Sequence, residues 1–243
     1  MLNDSIDSTW LFDVDNTLLD NDRFGADLGA YLTQAFGAAE RDRYWGIYAT
    51  LRDQTGVADY LGALQRFRIG VDDEPALLHV GAFMLDYPFA ERLYPGALDV
   101  VATCRRHRRA VVLSDGDIVF QPRKIARAGL WNAFAGEVLV CVHKERALDA
   151  MQRRYPAPHY LMVDDKPKLL AAIKRAMGDR VTTIFVRQGH YAFETAALAV
   201  DPPPDRMIDR IGDLATFFAT QFPTAAHNVA ATIRNAAIHE EVR

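Results

Sequence analysis

Five short apolar segments limit the folds open to this chain more than any other feature of its sequence. Each is only a few residues long, contains β-branched or aromatic side chains, and ends at turn-forming or polar residues. Continuous apolar runs, as opposed to alternating ones, are typical of strands buried on both faces of a parallel sheet. The predicted strands are residues 10–12, 110–113, 138–142, 160–163 and 181–186.

Segments with helical periodicity separate these strands. One begins after the Pro95-Gly96 turn, and another begins at Pro167, with Gly178 in position to end it. Strands that alternate with helices predict an α/β fold with a Rossmann-like, doubly wound parallel sheet. We expect this core to be assembled from residues 1–20 and 92–220.

The stretch between the first two predicted strands has a different pattern. Residues 21–91 carry apolar side chains at intervals of three and four and show no alternation with a period of two. This pattern predicts an inserted all-helical cap domain. Because open α/β sheets bind ligands at the carboxyl ends of their strands, we expect the cap to lie above that edge. Residues 221–243 are expected to form a C-terminal helical tail.

Composition and charge limit the classes of function. Of the 243 residues, 25% are charged and the net charge is −4, which gives no electrostatic reason to expect a nucleic-acid partner. The basic run Arg105–Arg109 is interpreted as a solvated helix end, where cations complement the helix dipole. No apolar run approaches the about 18 residues that suggest a membrane span. We expect no membrane partner, a cytoplasmic location, and a monomer or homodimer.

Two carboxylates follow the first predicted strand directly. Asp13 and Asp15 are spaced i, i+2 at the end of this strand, and Thr17 follows them. The backbone turns beyond a strand end, so both acids can face one crevice, where paired carboxylates suit a nucleophile and a general acid/base. An Asp-rich turn with an Asx cap explains the string equally well when it is taken alone.

Three further predicted strands end at polar residues of complementary chemistry. Ser114-Asp115-Gly116 offers a hydroxyl and a glycine that lets backbone amides approach an anion. Lys144 offers a cation, and Asp164-Asp165 offers oxygen ligands of the kind that Mg²⁺ prefers. Taken singly, these residues also fit a turn serine, a solvated charge and a helix N-cap ahead of Pro167. Their occurrence in order at the ends of four strands favours one shared site.

These residues make the sequence resemble the haloacid dehalogenase superfamily. Its four short motifs match in identity and order: Asp13-x-Asp15-x-Thr17, then Ser114, then Lys144, then Asp164-Asp165. The long interval between the first two motifs leaves room for a helical cap, as in the subfamily that carries its cap there. The resemblance covers the chain to about residue 220.

The resemblance implies a Mg²⁺-dependent phosphatase that hydrolyses a small phosphorylated metabolite through an aspartyl-phosphate. Asp13 is implied as the nucleophile, and Asp15 as the group that protonates the leaving oxygen and then takes a proton from water. The implied Mg²⁺ ligands are Asp13, the backbone carbonyl of Asp15 and Asp165, with Asp164 as a further ligand or outer partner. The implied phosphate-binding groups are Thr17, Ser114, the amides of Asp115 and Gly116, and Lys144.

Asp15 also distinguishes between reactions of this superfamily. A halide leaves without a proton, whereas an alkoxide benefits from protonation, so an acid at this position favours phosphate-ester chemistry over carbon–halogen cleavage. It does not separate a phosphatase from a phosphomutase acting on a sugar phosphate. A non-catalytic phospho-ligand-binding protein on the same fold is a third alternative.

The match departs from the pattern of the superfamily at two positions. Leu169 stands where many relatives carry Asp or Asn, which bears on metal binding. Glu145 follows Lys144 where proline is common, so Lys124 is an alternative cation. The residues expected near the mouth of the site are Asp20, Asn21 and Arg23.

Overall fold

The computed structural model of the chain describes residues 8–193 and 199–221, and a single parallel sheet organises them. Its strands are β1 (Ser8–Phe12), β2 (Arg109–Asp115), β3 (Val138–Cys141), β4 (His159–Asp164), β5 (Val181–Val186) and β6 (Arg206–Ile208). The order across the sheet is β3-β2-β1-β4-β5-β6, and every neighbouring pair is parallel. The predicted α/β class is therefore confirmed, with β1 in the interior of the sheet.

The sixth strand was not predicted from the sequence. β6 pairs with β5 at the edge of the sheet, and two of its three residues are exposed. An edge strand has a partner on one side only and needs no continuous apolar run. The search for continuous apolar runs found the other five strands, including the partly buried strand β3 at the opposite edge, but it cannot detect a short, exposed strand such as β6.

Ten α-helices accompany the sheet within the described residues. They are α1 (Asn21–Phe36), α2 (Ala38–Thr55), α3 (Tyr60–Phe67), α4 (Glu74–Asp86), α5 (Ala97–His107), α6 (Phe120–Arg127), α7 (Leu130–Ala133), α8 (Leu148–Arg154), α9 (Pro167–Met177) and α10 (Leu214–Gln221). As predicted, α9 begins at Pro167, and Gly178 follows its last residue with a φ of 58°. None of the described helices has the length and apolar character to cross a membrane. Residues 222–243 of the predicted tail lie outside the described part.

Helices α1–α4 make up the insertion between β1 and β2. Aspartate side chains begin three of them: Asp20, Asp59 and Asp73 each accept a hydrogen bond from a backbone N–H three residues further on. Such caps satisfy first-turn donors that have no partner inside the helix. The insertion is helical over the stretch where the sequence has helical periodicity.

Hydrophobic residues bury both faces of the sheet. Trp10 and Phe12 of β1 belong to one cluster, and Leu11 between them belongs to a second cluster on the opposite face. The first cluster continues from the sheet into the inserted helices through Phe24 and Tyr60. Packing between the insertion and the core is thus part of the main hydrophobic core.

The basic run Arg105–Arg109 was interpreted from the sequence as a solvated helix end, and three of its residues lie at the end of α5. Arg105 and Arg106 lie with His107 in the last turn of α5, and all three side chains are exposed. Their positive charge complements the carbonyl end of the helix dipole.

Asp205 joins the segment before β6 to β5 and α9. Its Oδ2 accepts hydrogen bonds from the backbone N–H of Thr183 at 2.8 Å and from the Thr183 hydroxyl at 2.9 Å, and lies 3.0 Å from Lys174 Nζ. Burial acts to raise the pKa of Asp205, but the bonds from Thr183 and the Lys174 charge outweigh it and lower the pKa.

Asp205→Asn is expected to lower the free energy of unfolding by about 1 to 3 kcal/mol at pH 7, because it removes charge-assisted hydrogen bonds. A carboxyl whose pKa is lowered by folding stabilises the protein above its unfolded pKa of about 3.9, and this contribution is lost as the pH falls through the folded value. Urea unfolding between pH 7 and pH 3 measures the difference. Asp209→Asn, which disrupts an exposed pair with Arg187, serves as control and should cost less than about 1 kcal/mol. Equal losses at both positions would contradict the assignment.

Candidate active site

The polar residues at the carboxyl ends of β1, β2, β3 and β4 meet at one edge of the sheet. The strands are parallel and adjacent, so their carboxyl ends lie side by side. A tight turn then redirects the chain after Asp15. Asn16 adopts a left-handed conformation with a φ of 58°, and its Oδ1 accepts hydrogen bonds from the backbone N–H groups of Asn21 and Asp22. This turn lets the Asp13 and Asp15 side chains contact different partners.

Asp13 and Asp164 share one buried lysine. Lys144 Nζ lies 2.6 Å from Asp13 Oδ1 and 2.6 Å from Asp164 Oδ2. The side chains of Lys144 and Asp164 are fully buried, so Lys144 is not the solvated charge that its motif alone allowed. Burial acts to lower the pKa of Lys144, but the Asp13 and Asp164 carboxylates outweigh it and raise the pKa above its ordinary value. Lys144 therefore stays protonated.

Asp165 has the chemistry expected of a metal ligand. Both of its carboxylate oxygens are buried and have no hydrogen-bond partner among the described residues. Burial, followed by the nearby Asp164 charge, raises the pKa of Asp165 well above its ordinary value. Asp13, Asp164 and Asp165 each offer an oxygen within 4.8 Å of the others. Because an unpaired buried carboxylate is costly, this set fits a hard cation such as Mg²⁺.

The two aspartates of the fourth motif differ in their partners. Asp164 Oδ1 accepts a hydrogen bond from the backbone N–H of Lys166 at 2.8 Å, and its Oδ2 contacts Lys144. Asp164 Oδ2 thus has an ion-pair partner although it accepts no hydrogen bond, whereas neither oxygen of Asp165 has a partner of either kind among the described residues. Neither aspartate is the N-cap of α9, because that position is Lys166, whose side chain is half-buried.

Asp15 lies on the other side of the site, beside α6. Lys124 Nζ is 2.9 Å from Asp15 Oδ1 and 3.0 Å from Oδ2, and Gln121 Nε2 is 3.3 Å from Oδ2. Gln121 Nε2 also lies 3.0 Å from Ser114 Oγ, so Ser114 and Asp15 border the same space. Lys124 does not replace Lys144, as the sequence left open; each lysine contacts a different aspartate.

Gln121 was missed from the sequence. A glutamine that follows the second motif by seven residues has no distinctive spacing, and its role depends on how α6 returns toward β1. The one available signal is Gly116: a Cβ at this position would lie 2.6 Å from both Cβ and Cγ of Gln121. The glycine therefore makes room for the Gln121 side chain.

Two of the predicted phosphate-binding groups are placed differently from the expectation. The backbone N–H of Gly116 donates to the carbonyl of Cys141 at 3.0 Å, so it is already engaged and does not fit the role of phosphate ligand. Thr17 is fully buried, and its hydroxyl lies 3.5 Å from Asp13 Oδ2, where it supports that carboxylate. Asp115 Oδ1 accepts a hydrogen bond from the backbone N–H of Lys144 at 2.7 Å and holds the third motif against the second.

Residues of the inserted helices contact the core near the site. Arg52 of α2 donates to the Tyr191 hydroxyl at 2.7 Å. Gly56, which ends α2 with a φ of 74°, lies so close to His143 that a Cβ would overlap the imidazole ring. Of the three residues expected at the mouth, Asn21 contacts Lys124, whereas Asp20 caps α1 and Arg23 pairs with Asp27.

The convergence of these motifs at one sheet edge indicates a hydrolase of the haloacid dehalogenase type, and comparison with known proteins confirms the family. Residues 8–176 match the haloacid dehalogenase-like hydrolase family, so the chain belongs to it. A haloacid dehalogenase-like hydrolase from Burkholderia xenovorans LB400 is 52% identical, with a TM-score of 0.83 over 89% of this chain and 98% of that chain. No match was found among curated proteins.

Two more distant structures share the fold. The L-2-haloacid dehalogenase from Xanthobacter autotrophicus, solved with chloropropionic acid covalently bound, is 16% identical with a TM-score of 0.55 over 90% of this chain and 100% of that chain. The hydrolase YfnB from Bacillus subtilis, solved with magnesium, is 16% identical with a TM-score of 0.60 over 88% of this chain and 99% of that chain. At this identity the likeness shows the fold alone.

Gly116→Ala is expected to displace Gln121 and break its hydrogen bonds to Ser114 and Asp15. Overpacking of this kind lowers the free energy of unfolding by about 1 to 3 kcal/mol. Gly25→Ala is the matched control, because a Cβ at Gly25 meets no atom within 4 Å and alanine favours the interior of α1. We expect the control to raise the free energy of unfolding by about 0.5 to 1 kcal/mol. Urea unfolding measures the free energy of unfolding of both variants. Changes of the same sign in the two variants would contradict the prediction.

Proposed function

We propose that this hydrolase is a Mg²⁺-dependent phosphatase that acts on a small phosphorylated metabolite. The observation that carries the proposal is the separation of the two carboxylates after β1. Asp13 pairs with Lys144 within the buried acidic cluster, and Asp15 pairs with Lys124 beside α6. Two carboxylates in different environments can take two different roles, one as nucleophile and one as acid and base.

In the proposed first step, a carboxylate oxygen of Asp13 attacks phosphorus. The phosphorus–oxygen bond to the leaving group breaks, and the leaving oxygen takes a proton from Asp15. In the second step, Asp15 takes a proton from water while the water oxygen attacks phosphorus. The bond between phosphorus and Asp13 then breaks, which releases inorganic phosphate and restores the nucleophile.

Charge neutralisation is the main requirement of this reaction, because a carboxylate attacks a dianion. Lys144 donates a hydrogen bond to Asp13 and forms an ion pair with Asp164, and its ammonium group is the first proposed donor to a phosphoryl oxygen. The Ser114 hydroxyl donates to the Asp115 carbonyl at 3.3 Å, but a hydroxyl can rotate to a new acceptor, so it is the second proposed donor. Mg²⁺, when bound, supplies further positive charge to the phosphate oxygens. Asp165 and Asp13 are its proposed side-chain ligands, with the backbone carbonyl of Asp15, and Asp164 supports them through Lys144.

The dehalogenase fold relatives make carbon–halogen cleavage the principal rival activity. An acid at Asp15 has no role in the departure of a halide, whereas an alkoxide gains from the proton that Asp15 supplies. Asp15 and its partners thus favour the ester reaction. A phosphomutase would use the same residues but pass the phosphoryl group to a second hydroxyl.

Asp13→Asn is expected to lower phosphate release by at least about a thousandfold, because the amide is a poor nucleophile. The measurement is release of inorganic phosphate from p-nitrophenyl phosphate and from a panel of small phosphate esters, with and without Mg²⁺. Asp149→Asn, the same change at an exposed position of α8, is the control and should retain activity.

Each alternative outcome of this experiment points to a different activity. Halide release from 2-chloropropionate without phosphate release would replace the phosphatase by a dehalogenase. Isomerisation of a sugar phosphate without net phosphate release would identify a mutase. Activity that persists in Asp13→Asn would show that Asp13 is not the nucleophile.

Loss of a residue that only supports a metal ligand weakens metal binding by about 10- to 100-fold. Because Asp165 is proposed to bind Mg²⁺ directly, Asp165→Asn is expected to weaken Mg²⁺ binding by more than this. Thermal unfolding with and without Mg²⁺ gives a readout that does not need catalysis. Mg²⁺ at about 100 times its Kd should stabilise the wild-type protein by about 2.7 kcal/mol. Asp165→Asn should lose this stabilisation. Without Mg²⁺, the variant should be at least as stable as the wild-type protein, because an unpaired buried carboxylate has been removed. Asp149→Asn should keep the full Mg²⁺ effect; its loss there, or its retention in Asp165→Asn, would contradict the assignment.

A further inference from the structure

Lys124 lies outside the four sequence motifs, yet its fully buried ammonium group contacts the proposed acid and base. Nζ is 2.9 Å from Asp15 Oδ1, 3.0 Å from Asp15 Oδ2 and 2.8 Å from Asn21 Oδ1. These contacts join the ammonium group to one carboxylate and one amide oxygen. The side chain has no exposed surface, so its ammonium group serves Asp15 and Asn21 and is not offered to solvent.

The surroundings of Lys124 fix its position. Its Nζ lies between 5.5 and 5.9 Å from the ring centroids of four aromatic residues, Phe24, Tyr60, Phe89 and Phe120. Aromatic faces attract a cation, and the Lys124 side chain has no exposed surface. A buried ammonium group without a carboxylate partner would be strongly destabilising. The packing thus holds the cation in place, and the cation in turn holds Asp15.

A second residue of α6 contacts the same carboxylate. Gln121 and Lys124 are spaced i, i+3, so they lie on one face of the helix, and both reach Asp15 Oδ2. Gln121 also bonds to Ser114, which ties the orientation of Asp15 to the second motif. The Asp15 side chain nevertheless remains 21% exposed, against 3% for Asp13. It is accessible to a substrate although its orientation is fixed.

We propose that Lys124 is a positioning residue that holds the Asp15 carboxyl group where the oxygen of the leaving group will lie. This inference rests on the proposed phosphatase function. A general acid must come within about 2.6 to 3.2 Å of the oxygen that it protonates. A displacement of about 1 Å costs about 100-fold in rate. The loss should therefore depend on how much the leaving group needs a proton.

The test compares two phosphate esters in two backgrounds, the wild-type protein and Asp15→Asn. p-Nitrophenolate leaves readily without protonation, whereas the alkoxide of a simple alkyl phosphate does not. Lys124→Met is expected to lower kcat/KM for the alkyl phosphate by about 100-fold and for p-nitrophenyl phosphate by less than about tenfold. In an Asp15→Asn background, Lys124→Met should cause no further leaving-group-dependent loss, because residues that act as a unit are not additive. Lys168→Met, an exposed lysine of α9, should change neither value.

Equal losses of kcat/KM on the two esters would show that Lys124 has only a structural role and would overturn the proposal. No loss of kcat/KM on either ester would overturn it as well. Additive losses in the Asp15→Asn background would also overturn it. Failure of the proposed function has a different signature, since the wild-type protein would then release no phosphate from either ester.

Urea unfolding separates a folding defect from a positioning effect. Asp15→Asn leaves the buried Lys124 charge without a carboxylate, and the double variant with Lys124→Met removes that charge. The urea midpoint of the double variant should therefore exceed that of Asp15→Asn alone. An equal or lower midpoint would show that the buried pair is not formed, which would also overturn the proposal.

Discussion

The site depends on the balance of buried charge at the carboxyl ends of β1 and β4. These strands are neighbours in the sheet, so Asp13 and the Asp164-Asp165 pair are brought within 4.8 Å of one another. Carboxylates at this distance repel each other strongly when water is excluded. Lys144 offsets part of that repulsion because it contacts two of the three carboxylates. The uncompensated remainder lies on Asp165, which is why the cluster fits a divalent cation.

A single turn divides the first motif between two environments. The left-handed conformation of Asn16 reverses the chain after β1, and its side chain accepts hydrogen bonds from the first backbone N–H groups of α1. Asp13 is left in the buried cluster, while Asp15 reaches Gln121 and Lys124 on α6. The environment, not the residue type, thus distinguishes two aspartates that are only two positions apart. This is the physical basis for assigning them different roles in one reaction.

The inserted helices contribute to the site as well as covering the sheet. Asn21 begins α1 and accepts a hydrogen bond from Lys124, and the Asn21 amide donates to Tyr60 of α3 at 3.2 Å. Phe24 and Tyr60 belong to the same hydrophobic cluster as the strands. The position of Asp15 is therefore linked through Lys124 and Asn21 to the helices that lie between β1 and β2.

The sequence alone determined the parallel sheet, the helical insertion and the order of the four motifs. Each of these depends on local periodicity or on the rule that parallel strands end at a common edge. It also identified the residues that meet there, including Asp13, Lys144 and Asp165. Tertiary structure alone decided β6, the engaged amide of Gly116, and the contacts of Gln121 and Lys124 with Asp15. The two contacts with Asp15 join segments more than 100 residues apart. All of these features depend on how separate segments pack together, which the residue pattern of a single segment does not specify.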